Sequence, residues 1–65
     1  MHIMKNRIKI LRQERKLTQQ QLATALSVSR QTIISIESGK YDPSLTLAFN
    51  IVRFFSSTFE EVFEL

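Results

Sequence analysis

The sequence predicts an all-α fold, a compact set of five short helices, and three observations carry that prediction. Apolar residues recur at helical spacing in each segment, and the two-residue alternation of a strand never persists. Helix-start signals stand between the segments: Thr18 with Gln21, then Ser29, then Ser44, then Thr58 with Glu61. The chain has 65 residues with one Gly and one Pro, which predicts a single domain over residues 1–65 without a flexible linker.

Each helix has its own grounds. The first, at about residues 4–15, places Met4, Ile8, Leu11 and Arg15 on one stripe. The second, at about 19–26, opens on Thr18, with Gln21 three residues on to complete a capping box and Leu17 spaced against Leu22 as a hydrophobic staple. The third, at about 30–38, repeats the device with Ser29 as cap and Val28 and Ile33 as staple. It stops before Gly39, where a left-handed residue is wanted. The fourth, at about 45–55, follows Asp42-Pro43 and is capped by Ser44; Leu47, Ala48, Ile51, Val52 and Phe55 form its apolar stripe. The fifth, at about 59–63, starts from the Thr58–Glu61 capping box and turns Phe59, Val62 and Phe63 to one side.

Composition excludes several classes of function. A domain of this size buries only roughly 60% of the surface of its unfolded chain, so the core is thin. No cysteine is present, which removes disulfides, thiolate metal sites and nucleophilic thiols and fits a reducing cytosol. The single histidine, His2, stands at the terminus, so no metal site and no imidazole base is expected. Apolar runs are a few residues long, so neither a membrane span nor a signal peptide is expected. With one glycine there is no phosphate-cradling loop, and no cofactor is expected. Enzyme chemistry has poor support. Glu60 and Glu61 are adjacent and diverge on a helix, while Ser29 and Ser35 have no histidine near in sequence.

The net charge of +3 is unevenly spread. Residues 1–40 hold eight of the nine Lys and Arg against Glu14 and Glu37, a net of +6, and residues 41–65 hold Arg53 against four carboxylates, a net of −3. One end is therefore expected to face a polyanion and the other to face away from it. The third helix says what that polyanion is. On a helical wheel Ile33 and Ile36 gather on one side, with Glu37 at its margin. Gln31, Ile34, Ser35 and Ser38 gather on the other, and Arg30 lies at the exposed start. The isoleucines anchor the helix to a core; the opposite face is short and hydrogen-bonding. A DNA major groove admits a helix and offers guanine O6/N7 to Arg, adenine N6/N7 to Gln, either base to Ser and thymine methyls to an aliphatic side chain. The preceding helix is a few residues away, as a helix-turn-helix requires.

The stretch L-T-Q-Q-Q-L-A-x-x-L-x-V-S-R-Q-T-I-x-x-I-E-x-G-K-Y-x-P-S-L, Leu17 to Leu45, resembles the helix-turn-helix of the phage Cro/repressor-like regulators, the XRE family, and the likeness extends from about Met4 to Phe63. The resemblance implies a five-helix, lambda-repressor-like DNA-binding domain with its helix-turn-helix at the second and third helices. It implies that Arg30, Gln31 and Ser35, with Ile34 a weaker candidate, read bases, and that Gln19, Ser29, Thr32, Lys40 and Tyr41 touch the sugar-phosphate backbone. It further implies a structural ion pair, Arg12 with Glu37. The expected partners are double-stranded DNA, in the cytoplasm of a prokaryote or under phage control, and a second copy of the chain. No small-molecule effector is evident. The expected action is that of a repressor on a two-fold operator.

The chain also departs from the family pattern. Ser27 stands where the turn usually has Gly, and Ser56-Ser57 replaces a small-plus-apolar pair before the last helix. Ile10 and Phe54 lie off the apolar stripes, and Phe54, Phe63 and Leu65 are the candidate dimer contacts. The alternative reading is a protein-interaction module, an antitoxin or anti-regulator on the same scaffold, which Ile10, Ile34 and Phe54 would serve.

Overall fold

The computed structural model describes residues 5–64. The chain runs β1 (Lys5–Asn6), α1 (Ile8–Glu14), α2 (Gln19–Leu26), α3 (Arg30–Glu37), α4 (Leu45–Phe54), α5 (Phe59–Val62) and β2 (Phe63–Glu64). Helices α2 to α5 start where the caps place them. Thr18, Ser29, Ser44 and Thr58 each accept a backbone N–H from the residue three positions on, and at Thr18 the Gln21 amide oxygen returns the bond. Such caps cost about 1 kcal/mol to remove, which a thin core feels.

Five boundaries differ from expectation; the ends of α1, α3 and α4 each fall one residue early, and the other two follow from pairing of the chain. The first helix begins at Ile8, well after residue 4, because Lys5 and Asn6 pair antiparallel with Glu64 and Phe63. The Asn6 Oδ1 accepts the Ile8 N–H at 3.1 Å and so provides the start signal of α1. Met4 lies outside the described residues. At the other end the last helix stops at Val62, and Phe63 is extended. The ribbon is reinforced by Arg7, whose N–H bonds the Val62 carbonyl at 2.8 Å and whose guanidinium reaches the Glu61 carbonyl and the Glu64 carboxylate.

Four helices end on one motif. The N–H groups of Leu17, Val28, Lys40 and Ser57 return to the carbonyls of Arg12, Ala23, Ser35 and Val52 at 3.0–3.1 Å. Each such turn needs a left-handed residue, here Lys16, Ser27, Gly39 and Ser56 at φ 57°, 58°, 80° and 50°. Three of the four therefore carry a Cβ where glycine is free of strain. Ser27→Gly is expected to raise stability by up to about 1 kcal/mol, which for a domain of this size lifts the thermal midpoint by about 4–8 °C. A midpoint unchanged or lowered in a calorimetric scan would show that the serine is not strained.

The core is Ile8, Leu22, Ala23, Leu26, Ile33, Ile36, Ala48, Ile51, Val52, Phe55, Val62 and Phe63. Phe63 belongs to this core: it is 4% exposed, held there by the ribbon, and the edge it keeps lines a groove with Leu45 and Phe59. Phe54 is half-buried, edge-on to Phe55 and beneath the Arg15 guanidinium; Leu65 lies outside the described residues. Arg15 does not continue the apolar stripe of α1. It donates to the carbonyls of Phe54 and Phe55 at 3.0 and 2.9 Å, a cation closing the C-terminal end of α4.

Candidate nucleic-acid interface

Helices α2 and α3 pack against each other across a three-residue turn, Ser27 to Ser29. The turn is tight because Ser27 is left-handed and Ser29 immediately caps α3, its Oγ accepting the Thr32 N–H at 3.1 Å. Ile33 and Ile36 are each 1% exposed and fix the inner side of α3 to the core. Arg30 and Gln31 are exposed, and Ile34 and Ser35 are half-buried beside them. The Gln31 amide approaches the Ser35 hydroxyl at 3.4 Å, so these two polar groups share one patch, one helical turn apart. Lys40 and Tyr41 are exposed just past the end of α3.

The expected backbone-contacting residues are not all free. The Ser29 hydroxyl is engaged with Thr32, at the backbone and at Thr32 Oγ1, 2.9 Å away. Gln19 donates its amide to Glu37 Oε1 at 3.3 Å, a partner that spacing along the chain does not reveal. What remains at the start of α2 is the pair of N–H groups of Gln19 and Gln20 that the Thr18–Gln21 capping box leaves unsatisfied, a favourable place for an anion.

Glu37 is the hub of this region. Its carboxylate receives the Arg12 guanidinium in a two-pronged contact, Nε at 2.7 Å and a terminal nitrogen at 3.1 Å, and the side chains are 9% and 4% exposed. The third prong of Arg12 donates to the Leu17 carbonyl at 2.8 Å. One arginine of α1 thereby holds the loop before α2 and the end of α3. The electrostatic consequence is direct. From Arg15 to Tyr41 the only acidic residue is Glu37, and its charge is neutralised inside the fold. The exposed surface of the helix-turn-helix carries no carboxylate to repel phosphate.

The basic half needs a correction too. Arg7, Arg12 and Arg15 bind partners within the chain, so three of the eight cations of residues 1–40 are occupied. Lys5, Lys9, Lys16, Arg30 and Lys40 are exposed, with no ion pair among the described residues. Counting charge along the chain cannot separate these sets, because an arginine fork finds carbonyls and carboxylates that are distant in sequence. Sequence reasoning also passed over Asn6, which lies inside the stretch assigned to the first helix although Asn two residues before a helix is a recognised capping residue.

A helix-turn-helix family profile matches residues 8–62, from the first residue of α1 to the last of α5. The chain belongs to that family, in its XRE branch. As a member it is a transcriptional regulator built on a helix-turn-helix DNA-binding domain. A protein of Methanocaldococcus jannaschii, named an uncharacterized HTH-type transcriptional regulator, is 58% identical over 60 residues, covering 92% of this chain and 91% of its own length. The immunity repressor of Bacillus phage phi105 is 52% identical over 40 residues, 62% of this chain and 28% of that protein. A solved structure from Bacteroides fragilis superimposes with a TM-score of 0.82 at 27% identity, over 95% of this chain and all of that one. Among the described residues no helix is long and apolar enough to cross a membrane.

Proposed function

We propose that this regulator is a sequence-specific repressor that binds double-stranded DNA as a homodimer on a two-fold operator, with α3 in the major groove. The observation that carries this reading is the split character of α3. Ile33 and Ile36 are committed to the core, its one carboxylate is neutralised from behind, and its outer side offers Arg30, Gln31, Ser35 and Ile34. In the groove, Arg30 suits guanine, Gln31 suits adenine, Ser35 either, and Ile34 a thymine methyl. Lys40, Tyr41, Thr32, Ser29 and the start of α2 at Gln19 would take the flanking phosphates, positioning the domain without reading sequence.

The make-up of the domain supports the two-fold arrangement. Each copy carries one reading helix, α3, so two major grooves about 34 Å apart on one side of DNA need two copies. The surface best suited to a second copy lies on the acidic half. Leu45 and Phe49 are 69% and 47% exposed, one helical turn apart on α4. Phe49 meets Phe59 edge-on at 4.9 Å, and beside them runs an apolar groove lined by Pro43, Leu45, Ala48, Phe59 and Phe63. Exposed Arg53 and Glu60 give the rim both signs, which suits a self-complementary contact. Repression then needs only occupancy of a promoter. The likeness to a phage immunity repressor supports that direction of control. The same groove favours one competing reading, a protein-interaction module such as an antitoxin or anti-regulator; a stable protein complex indifferent to changes at Arg30 and Gln31 would favour it.

Selection of binding sites from random duplexes tests the reading, and a two-fold motif is the expected result. On that motif Gln31→Ala should lose about 1–3 kcal/mol and relax base choice at one position, whereas Lys40→Ala should weaken all sequences alike and flatten the salt dependence. A Gln31→Ala protein that binds every duplex as the parent does would remove α3 from the role of reader.

A further inference from the structure

Asn6 lies in β1, outside the helix-turn-helix, and its side-chain amide is bonded at both ends. The Oδ1 accepts the Ile8 N–H at 3.1 Å, and the Nδ2 donates at 2.9 Å to the carbonyl of Ile36, thirty residues away in the last turn of α3. The assignment of oxygen and nitrogen follows from the partners, since a flipped amide would set donor against N–H and oxygen against carbonyl. The Ile36 carbonyl also accepts the Gly39 N–H at 3.0 Å, so both its lone pairs are engaged. The next residue, Glu37, is the one gripped by Arg12. Two polar side chains from residues 6–12 therefore pin the C-terminal end of α3. Its N-terminal end is capped only by Ser29, inside the helix-turn-helix itself, and gives the polar face no comparable tether to the rest of the fold.

We propose that Asn6 is a positioning residue for sequence reading: its bond to the Ile36 carbonyl sets the depth and rotation at which α3 presents Arg30, Gln31 and Ser35. This rests on the reading of α3 as the base-contacting helix. The physical reason is the narrow tolerance of base readout. A hydrogen bond holds over a distance window of about 0.5 Å, and a slip of one residue along a helix moves a side chain about 1.5 Å and turns it about 100°. Phosphate contact by a long lysine tolerates such changes, because a flexible point charge needs no fixed angle. Release of one end of an eight-residue helix must therefore cost sequence-specific binding more than it costs binding to DNA in general. Asn6 is also paired with Phe63 in the ribbon, so the same residue links the reading helix to the strand that follows α5.

Asn6→Ser separates the two bonds. Its hydroxyl still accepts the Ile8 N–H as a serine turn does, while the donor to Ile36 is shortened out of reach and no charge is added. The parent and the variant are titrated with the duplex selected from the random pool and with an unrelated duplex, each over a salt series. The expected result is a loss of about three- to tenfold on the selected duplex, as for one hydrogen bond, with less than about a twofold change on the unrelated one and an unchanged salt slope. A purely structural role would lower both affinities in step with the folded fraction, and a ratio equal to the parent's overturns the proposal while α3 keeps its role. A parent that prefers no duplex overturns the reading of α3 and this proposal with it. Where Asn6→Ser does not fold at 25 °C, Asn6→Thr, which also retains a hydroxyl acceptor and adds no charge, is measured in its place. If neither folds, Asn6 is a residue of the fold alone and the proposal fails.

Discussion

Glu37→Ala should cost about 3–5 kcal/mol and leave the domain largely unfolded at temperatures where the parent is native. The loss is far larger than an ion pair ordinarily contributes, and the reason lies in what stays behind. Arg12 is 8% exposed, with its fork closed on Glu37 and the Leu17 carbonyl. Without the carboxylate a buried guanidinium retains its charge and loses two of its three bonds, and Gln19 loses its side-chain partner among the described residues. A domain that buries so little surface has a total stability of a few kcal/mol to oppose this. The intact pair need not be strongly stabilising. Arg12→Met combined with Glu37→Met should recover most of the loss, falling short by the unsatisfied Leu17 carbonyl. Chemical denaturation of the two single variants and the double variant measures the coupling. A double variant as unstable as the sum of the singles would show that the carboxylate matters for something other than the charge of Arg12.

Much of the fold is legible in the sequence because it is decided within four residues. The caps at Thr18, Ser29, Ser44 and Thr58 are short-range hydrogen bonds, and the apolar stripe of α4 is a property of one helix. What escaped is non-local or conformationally silent. Pairing of Asn6 with Phe63 joins the two ends of the chain, and two residues of strand leave no alternation to detect. The same pairing draws Phe63 into the core and leaves it only an edge on the groove beside Leu45. Left-handed residues at Lys16 and Ser56 carry no glycine to announce them, whereas Gly39 marks its own helix end and Ser27 is marked by the family pattern, which has Gly there.

The site divides the same way. The sorting of α3 into buried isoleucines and an outward Arg30 and Gln31 follows from a 3.6-residue period and needs no tertiary information. The destination of each arginine is a different matter. Arg12, Arg15 and Arg7 look alike in a charge count, yet one is buried with Glu37, one closes α4 and one staples the ribbon. Gln19 and Asn6 bond groups in α3 that lie eighteen and thirty residues away, and only the packing of the helices brings them within reach.

In the proposed dimer, Leu45→Asp should abolish association and lower operator affinity by about 10²- to 10⁴-fold while leaving the fold intact. Leu45 is 69% exposed and is the first residue of α4, where a carboxylate faces the positive end of the helix, so the monomer loses little packing and gains a favourable charge. The same carboxylate placed at the centre of an apolar contact would be desolvated in both copies at once, beside Glu60, and association cannot bear that cost. The effect on DNA is large because two linked reading helices bind with an advantage set by effective concentration, and a monomer on a half-site has none of it. Sedimentation should show a 7.6 kDa species for Leu45→Asp and twice that mass for the parent. Binding to an unrelated duplex should fall far less than binding to the operator, since each monomer keeps Arg30, Lys40 and the start of α2. A Leu45→Asp protein that still sediments as a dimer would move the interface off α4 and α5. A parent that stays at 7.6 kDa with and without operator DNA would remove the two-fold arrangement altogether, and the operator would then have to be read by a single α3.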